Sequence, residues 1–364
     1  MRRTSGIIAA ILAVSWACVT LSPGNAHPNH APAVPATAEP SIESTWLRYS
    51  WTAGRDLTGF PIDEGKAQGE LTRLADRLRP AVAAAKGGRG VVAAFRRVLL
   101  KEEGFTYDRA AGNTENFLAG GVLVRKRGNC LGLSLLWLSL AERLGVPFRG
   151  AYVPGHCFVR YEKEGSRVNV EFSDDGAPWD DARYLREFGL AEAGPYLHSL
   201  SSAEMLGVFL KSVGAAYANK GRHESAVAIY AEGARLYPGL PDSHYNSGVS
   251  LHRLGRFDEA IEKYQKALSL DPNLPMARGN LAAAYCGCGD FDAGILEYRK
   301  ALERDPSNAQ ARSGLTRALF AKGDYREAAR ECERAEALGC RFEPSMLQIL
   351  GLYREGSPPS AGLP

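Results

Sequence analysis

The chain of 364 residues lacks the sequence features that are typical of nucleic-acid-binding, metal-binding and multi-span membrane proteins. Its 44 basic and 41 acidic residues nearly balance, and no basic cluster contains interleaved aromatic residues, so nucleic acid is not an expected partner. The 7 histidines and 7 cysteines show no metal-site spacing, so neither a metal nor another cofactor is expected. After residue 21, no apolar run is long enough to span a bilayer.

The N-terminus carries the one long apolar run. Two arginines precede the apolar residues 6–21, and small residues follow at positions 24 and 26. This pattern predicts a secretory signal peptide over residues 1–26, cleaved after Ala26. A retained membrane anchor and a lipoprotein lipidated at Cys18 are the alternatives. We therefore expect an exported protein, either periplasmic or secreted, with lipid anchoring at Cys18 as a variant of that expectation.

Residues 27–43 are rich in proline and alanine, a composition that favours an extended linker rather than a packed core. Folded structure is expected from about Ser44. Apolar residues at three- and four-residue spacing predict a helix over 64–86, with Pro80 as a break, and a second over 91–103, ended by Gly104.

The next predicted helix differs from the others because its apolar residues lie on all sides. It begins at Cys130, directly after the turn Gly128-Asn129, and continues to Leu144. A helix that is apolar all round is expected to be buried. A thiol at its N-terminus would feel the partial positive charge of the helix dipole, which favours the thiolate. Taken alone, Cys130 could equally be a buried apolar side chain.

Three strand-like segments follow, over 148–153, 156–161 and 168–172. His156 begins the second segment and Glu171 lies in the third. Antiparallel pairing of these strands would bring the two side chains together, and packing of the sheet on the buried helix would place Cys130 against His156. Cysteine, histidine and an acid in this arrangement are typical of a nucleophile, its base and the group that orients the base.

Residues 46 to about 190 resemble the transglutaminase-like family of the papain-like cysteine enzymes. The resemblance is carried by Gly128-Asn129-Cys130, by the Leu-Gly-Val-Pro-Phe-Arg segment at 144–149 and by His156. It implies an α+β domain over 44–198, with helices packed on a small antiparallel sheet. It also implies that Cys130 is the nucleophile, His156 the general base and then acid, and Glu171 the orienting group. The segment 116–128 resembles a bacterial branch whose members usually lack the cysteine, so its presence here implies a competent triad.

The third member of the triad departs from the family pattern, which has aspartate where this chain has Glu171. Asp174 and Asp175 are nearby rivals, and Asn169 could fill the role as asparagine does in papain-type sites. Cys157 should alternate to the strand face opposite His156 and is therefore expected in the core.

The C-terminal half repeats with a period of 34 residues. One position of the repeat is occupied by Gly221, Gly255, Gly289 and Gly323. The period and its small and aromatic positions resemble the tetratricopeptide repeat (TPR), which implies an all-α solenoid over 207–342 with a concave face for a protein or peptide partner. The expected units are 207–240, 241–274, 275–308 and 309–342, and a capping helix and tail are expected over 343–364. A purely structural role for the solenoid, packed on the preceding domain, stays open.

Without Cys18 and the candidate nucleophile Cys130, five cysteines remain, an odd number that implies no regular disulfide framework. Cys332 and Cys340 could pair with each other or with the segment 286–288.

Two functions are expected from different classes. The first is a cysteine-dependent hydrolase or acyltransferase that acts on amide bonds of a polypeptide or other substrate through a thioester, joined to a TPR protein-binding module. The second is a non-enzymatic adaptor in which both parts bind peptide or protein partners.

Overall fold

The computed structural model describes residues 41–59, 63–109, 113–190, 195–274 and 276–354. The expected signal peptide, most of the linker, Cys18 and the tail from residue 355 lie outside this part of the chain. The chain divides into two compact units. The first unit contains the described residues up to 250 and the segment Ser269–Pro272, and the second contains Leu251–Leu268 and the described residues from 273 onward. Within the described ranges, no helix is long and apolar enough to cross a membrane.

The helices of the first unit up to residue 236 are separated in the chain by turns and by the strands described below. These helices are α1 (Ile42–Ala53), α2 (Glu64–Ala83), α3 (Gly87–Phe95), α4 (Ala119–Arg125), α5 (Cys130–Leu144), α6 (Asp181–Glu187), α7 (Ser202–Asn219) and α8 (His223–Leu236). Wider π-helical turns extend α1 through Gly54–Thr58 and α3 through Arg96–Glu102.

A three-stranded antiparallel sheet packs on α5. Its strands β3 (Phe148–Val153), β4 (His156–Lys163) and β5 (Ser166–Val170) are ordered β3-β4-β5. A separate parallel pair joins β1 (Thr106–Tyr107) to β2 (Arg127–Gly128). Helices on a small antiparallel sheet confirm the α+β class expected for this part of the chain.

Some boundaries differ from the sequence expectation. Helix α1 begins at Ile42, within the expected linker, because the side chain of Ser41 caps it by accepting the N–H of Ser44. Pro80 does not break α2, which continues to Ala83. Proline has no N–H and so removes one backbone hydrogen bond of the helix. This loss does not unwind the helix, because Pro80 lies near its end.

Helix α5 forms the centre of the first unit, as its all-round apolar pattern predicts. Every residue from Leu131 to Ala141 is buried. Trp137 has no exposed surface and contacts three rings, with centroids 5.1 Å from Phe95, 5.6 Å from Phe148 and 5.4 Å from Phe172. Aromatic contacts on several sides fix how the helix is rotated, and therefore where its first residue lies.

Helices α7 and α8 belong to the same hydrophobic core as the sheet and α5. The rings of Phe209 in α7 and Phe117 lie 6.3 Å apart, and the hydroxyl of Tyr217 donates to Asp56 at 2.9 Å. Gly150 of β3 faces Met205 so closely that a Cβ there would lie 2.6 Å from its sulfur. The first helical hairpin of the repeat region is thus packed onto the α+β domain, and its first helix begins at Ser202.

The remaining helices follow along the chain, and within the second unit those between residues 277 and 337 pack as two hairpins. These helices are α9 (Pro241–Arg253), α10 (Phe257–Leu270), α11 (Ala277–Gly287), α12 (Phe291–Arg304), α13 (Ala309–Lys322), α14 (Tyr325–Ala337) and α15 (Pro344–Gly351). Each of the glycines that recur every 34 residues lies between two consecutive helices, and all have positive φ angles, from 74° to 97°. This backbone conformation disfavours side chains, which explains why glycine recurs.

Close packing at Gly132 yields a stability prediction. A Cβ at this position of α5 would lie 2.2 Å from the carbonyl oxygen of Asn116 and 2.8 Å from the Val122 side chain. Backbone cannot yield as a flexible side chain can, so Gly132→Ala should lower the free energy of unfolding by about 1–3 kcal/mol. Urea unfolding followed by tryptophan fluorescence measures this in the first unit, because no tryptophan follows Trp179.

The matched control is Gly69→Ala in α2, where a Cβ would meet nothing within 4 Å. Alanine is the better helix former, so this variant should be more stable by about 0.5–1 kcal/mol. Equal effects of the two substitutions would contradict the packing explanation.

Candidate active site

The candidate nucleophile Cys130 is the first residue of α5 and is partly exposed. The Asn129 side chain caps the helix by accepting the N–H of Gly132 at 3.0 Å. The backbone oxygen of Asn129 accepts the N–H of Leu133 at 3.0 Å. The N–H groups of the first helical turn therefore point toward the thiol end of the helix, as the sequence predicts.

Two backbone contacts hold the turn before Cys130. The N–H of Asn129 donates to the carbonyl of Asn116 at 2.9 Å, and Asn116 is fully buried. On the other side, Tyr107 of β1 pairs with Gly128 of β2. The absence of a side chain at Gly132 lets Asn116 approach this closely.

The candidate base His156 opens β4, directly after a turn at Gly155 with a φ of 77°. Its side chain is 8% exposed. Phe188 stacks on the imidazole with ring centroids 5.0 Å apart and an interplanar angle of 19°. This stacking limits rotation of the ring and shields it from water.

Glu171 lies one residue beyond β5 rather than within a strand, which corrects the expected strand over 168–172. It caps a short 3₁₀ turn, Phe172–Asp174, and has no exposed surface. One carboxylate oxygen accepts from His156 Nε2 at 2.7 Å and from the Tyr184 hydroxyl at 3.1 Å. The other accepts from the N–H of Ser173 at 2.9 Å and from its hydroxyl at 2.7 Å. Four donors thus surround this buried acid.

The Cys130 thiol also interacts with the imidazole of His156, and since Nε2 is bonded to Glu171, Nδ1 is the ring nitrogen left to face the thiol. Cys157 is a second polar neighbour of the Cys130 sulfur, through both its thiol and its backbone N–H. The Cys157 thiol contributes most and His156 next, and together they outweigh burial and hold the pKa of Cys130 well below its usual value. The structure therefore favours a thiolate.

The pKa values of the other two groups move in complementary directions. Burial alone would lower the pKa of His156, but its hydrogen bonds and charge interactions with Cys130 and Glu171 raise it to about 10. Burial alone would raise the pKa of Glu171, but the contacts with His156 and Ser173 bring it below its usual value. All three shifts favour the charged forms, which are a thiolate, an imidazolium and a carboxylate in sequence.

The rivals of Glu171 are engaged elsewhere. Asp174 accepts from the indole N–H of Trp179 at 2.9 Å. Asp175 is exposed and faces Lys101 at 3.8 Å. Asn169 accepts from the buried guanidinium of Arg160 at 2.6 Å and donates to the Trp179 carbonyl at 2.8 Å. Of the four candidates, Glu171 is the one bonded to the imidazole.

Several residues of the site carry no signal in the sequence. Cys157 is buried as expected, but its thiol contacts Cys130, so assigning it to the core alone was incomplete. Tyr184 and Phe188 come from α6 and the turn after it. Tyr107 lies near the charges of Cys130 and Glu171, and burial, aided by these charges, raises its pKa to about 12. All four reach the site through packing between segments distant in the chain.

The described residues contain no group of histidine, cysteine and acidic side chains suited to hold a metal ion.

Comparison with known families agrees with this architecture. Residues 65–203 match the model of the transglutaminase-like superfamily. This part of the chain is a transglutaminase-like domain. Residues 248–287 match a TPR repeat model and residues 289–338 match a tetratricopeptide repeat model. The two families expected from the sequence are confirmed, in the expected order.

Two curated relatives are UPF0162 proteins of Xylella fastidiosa, from strains Temecula1 and 9a5c. Each is 26% identical over 175 residues, covering 45% of this chain and 62% of the relative. The chain therefore spans less than two thirds of the relatives it matches.

Similar solved structures include MamA from Desulfovibrio magneticus RS-1, at 24% identity and a TM-score of 0.35, covering 43% of this chain and 82% of that one. Another is the second TPR domain of human RPAP3 in complex with an HSP70 peptide, at 20% identity and a TM-score of 0.31, covering 32% of this chain and 97% of that one.

The charge on Glu171 should control the reactivity of the thiol in the transglutaminase-like domain. Because Cys130 has a lowered pKa, its alkylation by iodoacetamide should stay fast down to pH 6 and fall only in more acidic solution. Glu171→Gln removes the charge that stabilises the imidazolium, so the pKa of Cys130 should rise and alkylation at pH 6 should slow by at least about tenfold. His156→Ala should slow it further. Mass spectrometry of the tryptic peptide 128–143 measures the rate.

Asp174→Asn is the matched control, since it neutralises an acid three residues away that contacts Trp179 instead. Its rate should stay within about twofold of the unmodified chain. A loss as large as that of Glu171→Gln would mean that Glu171 is not the acid that tunes the thiol.

Proposed function

We propose that this chain is an exported cysteine-dependent amide hydrolase or acyltransferase with a TPR protein-binding module. The observation that carries the proposal is the bond between His156 Nε2 and Glu171 at 2.7 Å, with the Cys130 thiol as a neighbour of the same imidazole. This is the arrangement that cysteine nucleophiles require. Export is supported by the signal-like residues 1–26.

In the first step, the Cys130 thiolate attacks the carbonyl carbon of the amide. The carbonyl oxygen gains negative charge as the tetrahedral intermediate forms. In the first turn of α5, Asn129 accepts the N–H groups of Gly132 and Leu133. The N–H groups of Cys130 and Leu131, at the positive end of the helix dipole, are therefore the ones suited to stabilise that charge.

In the second step, the C–N bond breaks and the amine leaves with a proton from the His156 imidazolium. The product is a thioester on Cys130. Glu171 keeps its charge throughout and holds the ring in the tautomer and orientation that both steps need. Ser173 and Tyr184 fix the carboxylate, and Phe188 fixes the imidazole plane.

In the third step, neutral His156 takes a proton from the incoming nucleophile, which attacks the thioester and releases Cys130. Water gives hydrolysis, and a primary amine gives acyl transfer. We favour hydrolysis on family resemblance.

The TPR module is proposed to bind a protein or peptide segment. A cavity of about 460 Å³ lies in the second unit along α11, α12 and α13, lined by Asn280, Tyr298, Arg304 and Asn308 among others. Side-chain amides and a guanidinium suit an extended peptide, because they can pair with its carbonyls and N–H groups.

The rival function is an adaptor without catalysis, in which both parts only bind partners. The helical hairpin α7–α8, packed into the core of the transglutaminase-like domain, agrees with a structural role for at least the first repeat. The two functions differ in whether Cys130 forms an acyl-enzyme.

An activated ester tests this without knowledge of the substrate. With p-nitrophenyl acetate, the full chain should release a burst of about one equivalent of p-nitrophenolate and carry an acetyl group on the tryptic peptide 128–143. Cys130→Ala should show no burst, although five other described thiols remain. His156→Ala should acylate at least about tenfold more slowly.

The exposed thiol of Cys288, whose pKa is raised by burial and by the nearby Asp258, serves as the internal reference. Acetylation of Cys130 no faster than that of Cys288 would favour the adaptor. Added butylamine separates the two reactions, because acyl transfer forms N-butylacetamide faster than the uncatalysed reaction measured with Cys130→Ala, whereas hydrolysis does not.

A further inference from the structure

Cys157 is a buried nucleophilic group that the proposed triad does not use. It follows His156 at the start of β4, and its side chain is 2% exposed. Simple strand alternation would point it away from the site. At the start of β4, however, both His156 and Cys157 lie against the N-terminus of α5, and the thiol and backbone N–H of Cys157 are polar neighbours of the Cys130 sulfur.

The two thiols are free, and their pKa values are shifted in opposite directions. Burial, and then the proximity of Cys130, raise the pKa of Cys157, while that of Cys130 is lowered. The hydroxyl of Ser134 also contacts the Cys157 thiol and is buried with it. The site thus pairs one partly exposed thiolate with one enclosed thiol.

This pairing is what a peroxide-sensitive thiol needs. The thiolate is the form that attacks a peroxide, and the neighbouring thiol can resolve the product before it is oxidised further. A hydroperoxide small enough to reach Cys130 need not reach Cys157. A dissolved hydroperoxide therefore reaches only the thiol of Cys130, and the thiol of Cys157 reacts with the product inside the protein.

We propose that Cys130 and Cys157 form a reversible disulfide when the site meets a hydroperoxide, and that this disulfide switches the nucleophile off. The consequence for activity rests on the proposed function, but the disulfide itself does not. Cys157 is in this sense the resolving residue of the site.

The chemistry proceeds in two balanced steps. The Cys130 thiolate attacks one peroxide oxygen, the O–O bond breaks, and the other oxygen leaves as an alcohol or water after taking up a proton. Cys130 is now a sulfenic acid and the peroxide has been reduced. The sulfur of Cys157 then attacks that of Cys130, the S–O bond breaks, and the leaving hydroxide takes the Cys157 proton and departs as water. A thiol reductant reverses the disulfide by exchange.

The test treats the reduced full-length chain with a small excess of hydrogen peroxide at pH 7. Trypsin should then release the peptides 128–143 and 150–160 joined by a disulfide, with a loss of two hydrogens. Labelling of Cys130 by iodoacetamide should fall at least about tenfold and return with dithiothreitol.

The matched variant is Cys157→Ser, which keeps a hydrogen-bond donor beside Cys130 but cannot form the disulfide. Its Cys130 should progress to sulfinic and sulfonic acids, seen as two or three added oxygens on peptide 128–143, and dithiothreitol should not restore labelling. Absence of the joined peptides from the unmodified chain would overturn the proposal, whatever the behaviour of the variant. So would a Cys157→Ser variant that recovers as fully as the unmodified chain.

The same samples separate this proposal from the proposed function. A chain that acylates with p-nitrophenyl acetate but forms no disulfide keeps the proposed function and loses the switch. A chain that forms the disulfide but shows no acyl burst keeps the Cys130–Cys157 disulfide and loses the catalytic consequence.

Discussion

The buried carboxylate of Glu171 is the constraint on which the candidate site depends. An ion with no exposed surface is costly unless its hydrogen-bonding capacity is filled, and here the imidazole, a phenol, a hydroxyl and a backbone N–H fill it. Removal of the imidazolium would leave that charge partly unpaired. The carboxylate therefore stabilises the protonated ring, and the protonated ring stabilises the thiolate of Cys130.

The same constraint accounts for glutamate in place of the family's aspartate. Glu171 lies one residue beyond β5, at the start of a 3₁₀ turn, and not in the strand itself. From this position the longer side chain reaches back to His156 and also caps the turn through Ser173. The extra methylene group is thus compatible with a direct bond of 2.7 Å to the ring.

The position of the Cys130 thiol is also fixed by contacts close to it. Helix α5 is held on all sides by aromatic and aliphatic side chains, so its axis and rotation are fixed by packing. Its first residue is then positioned by the Asn129 cap and by the close approach of Asn116 to Gly132. The second thiol, Cys157, arrives on the adjacent sheet. Cys130, His156 and Cys157 therefore all lie where α5 meets the start of β4.

The sequence by itself determined the features that depend on local patterns. The start of α5 at Cys130, the three strands and the 34-residue period follow from apolar periodicity, caps and glycines, which act over a few residues. The family resemblance also singled out Cys130, His156 and Glu171, and the structure places His156 Nε2 2.7 Å from the Glu171 carboxylate. Tertiary structure alone decided the choice of Glu171 over Asp174, the contact of Cys157 with Cys130, the support from Tyr184 and Phe188, and the packing of α7 and α8 into the first core. These depend on strand register and on contacts between segments far apart in the chain, where one residue of shift or a single turn changes which side chains meet.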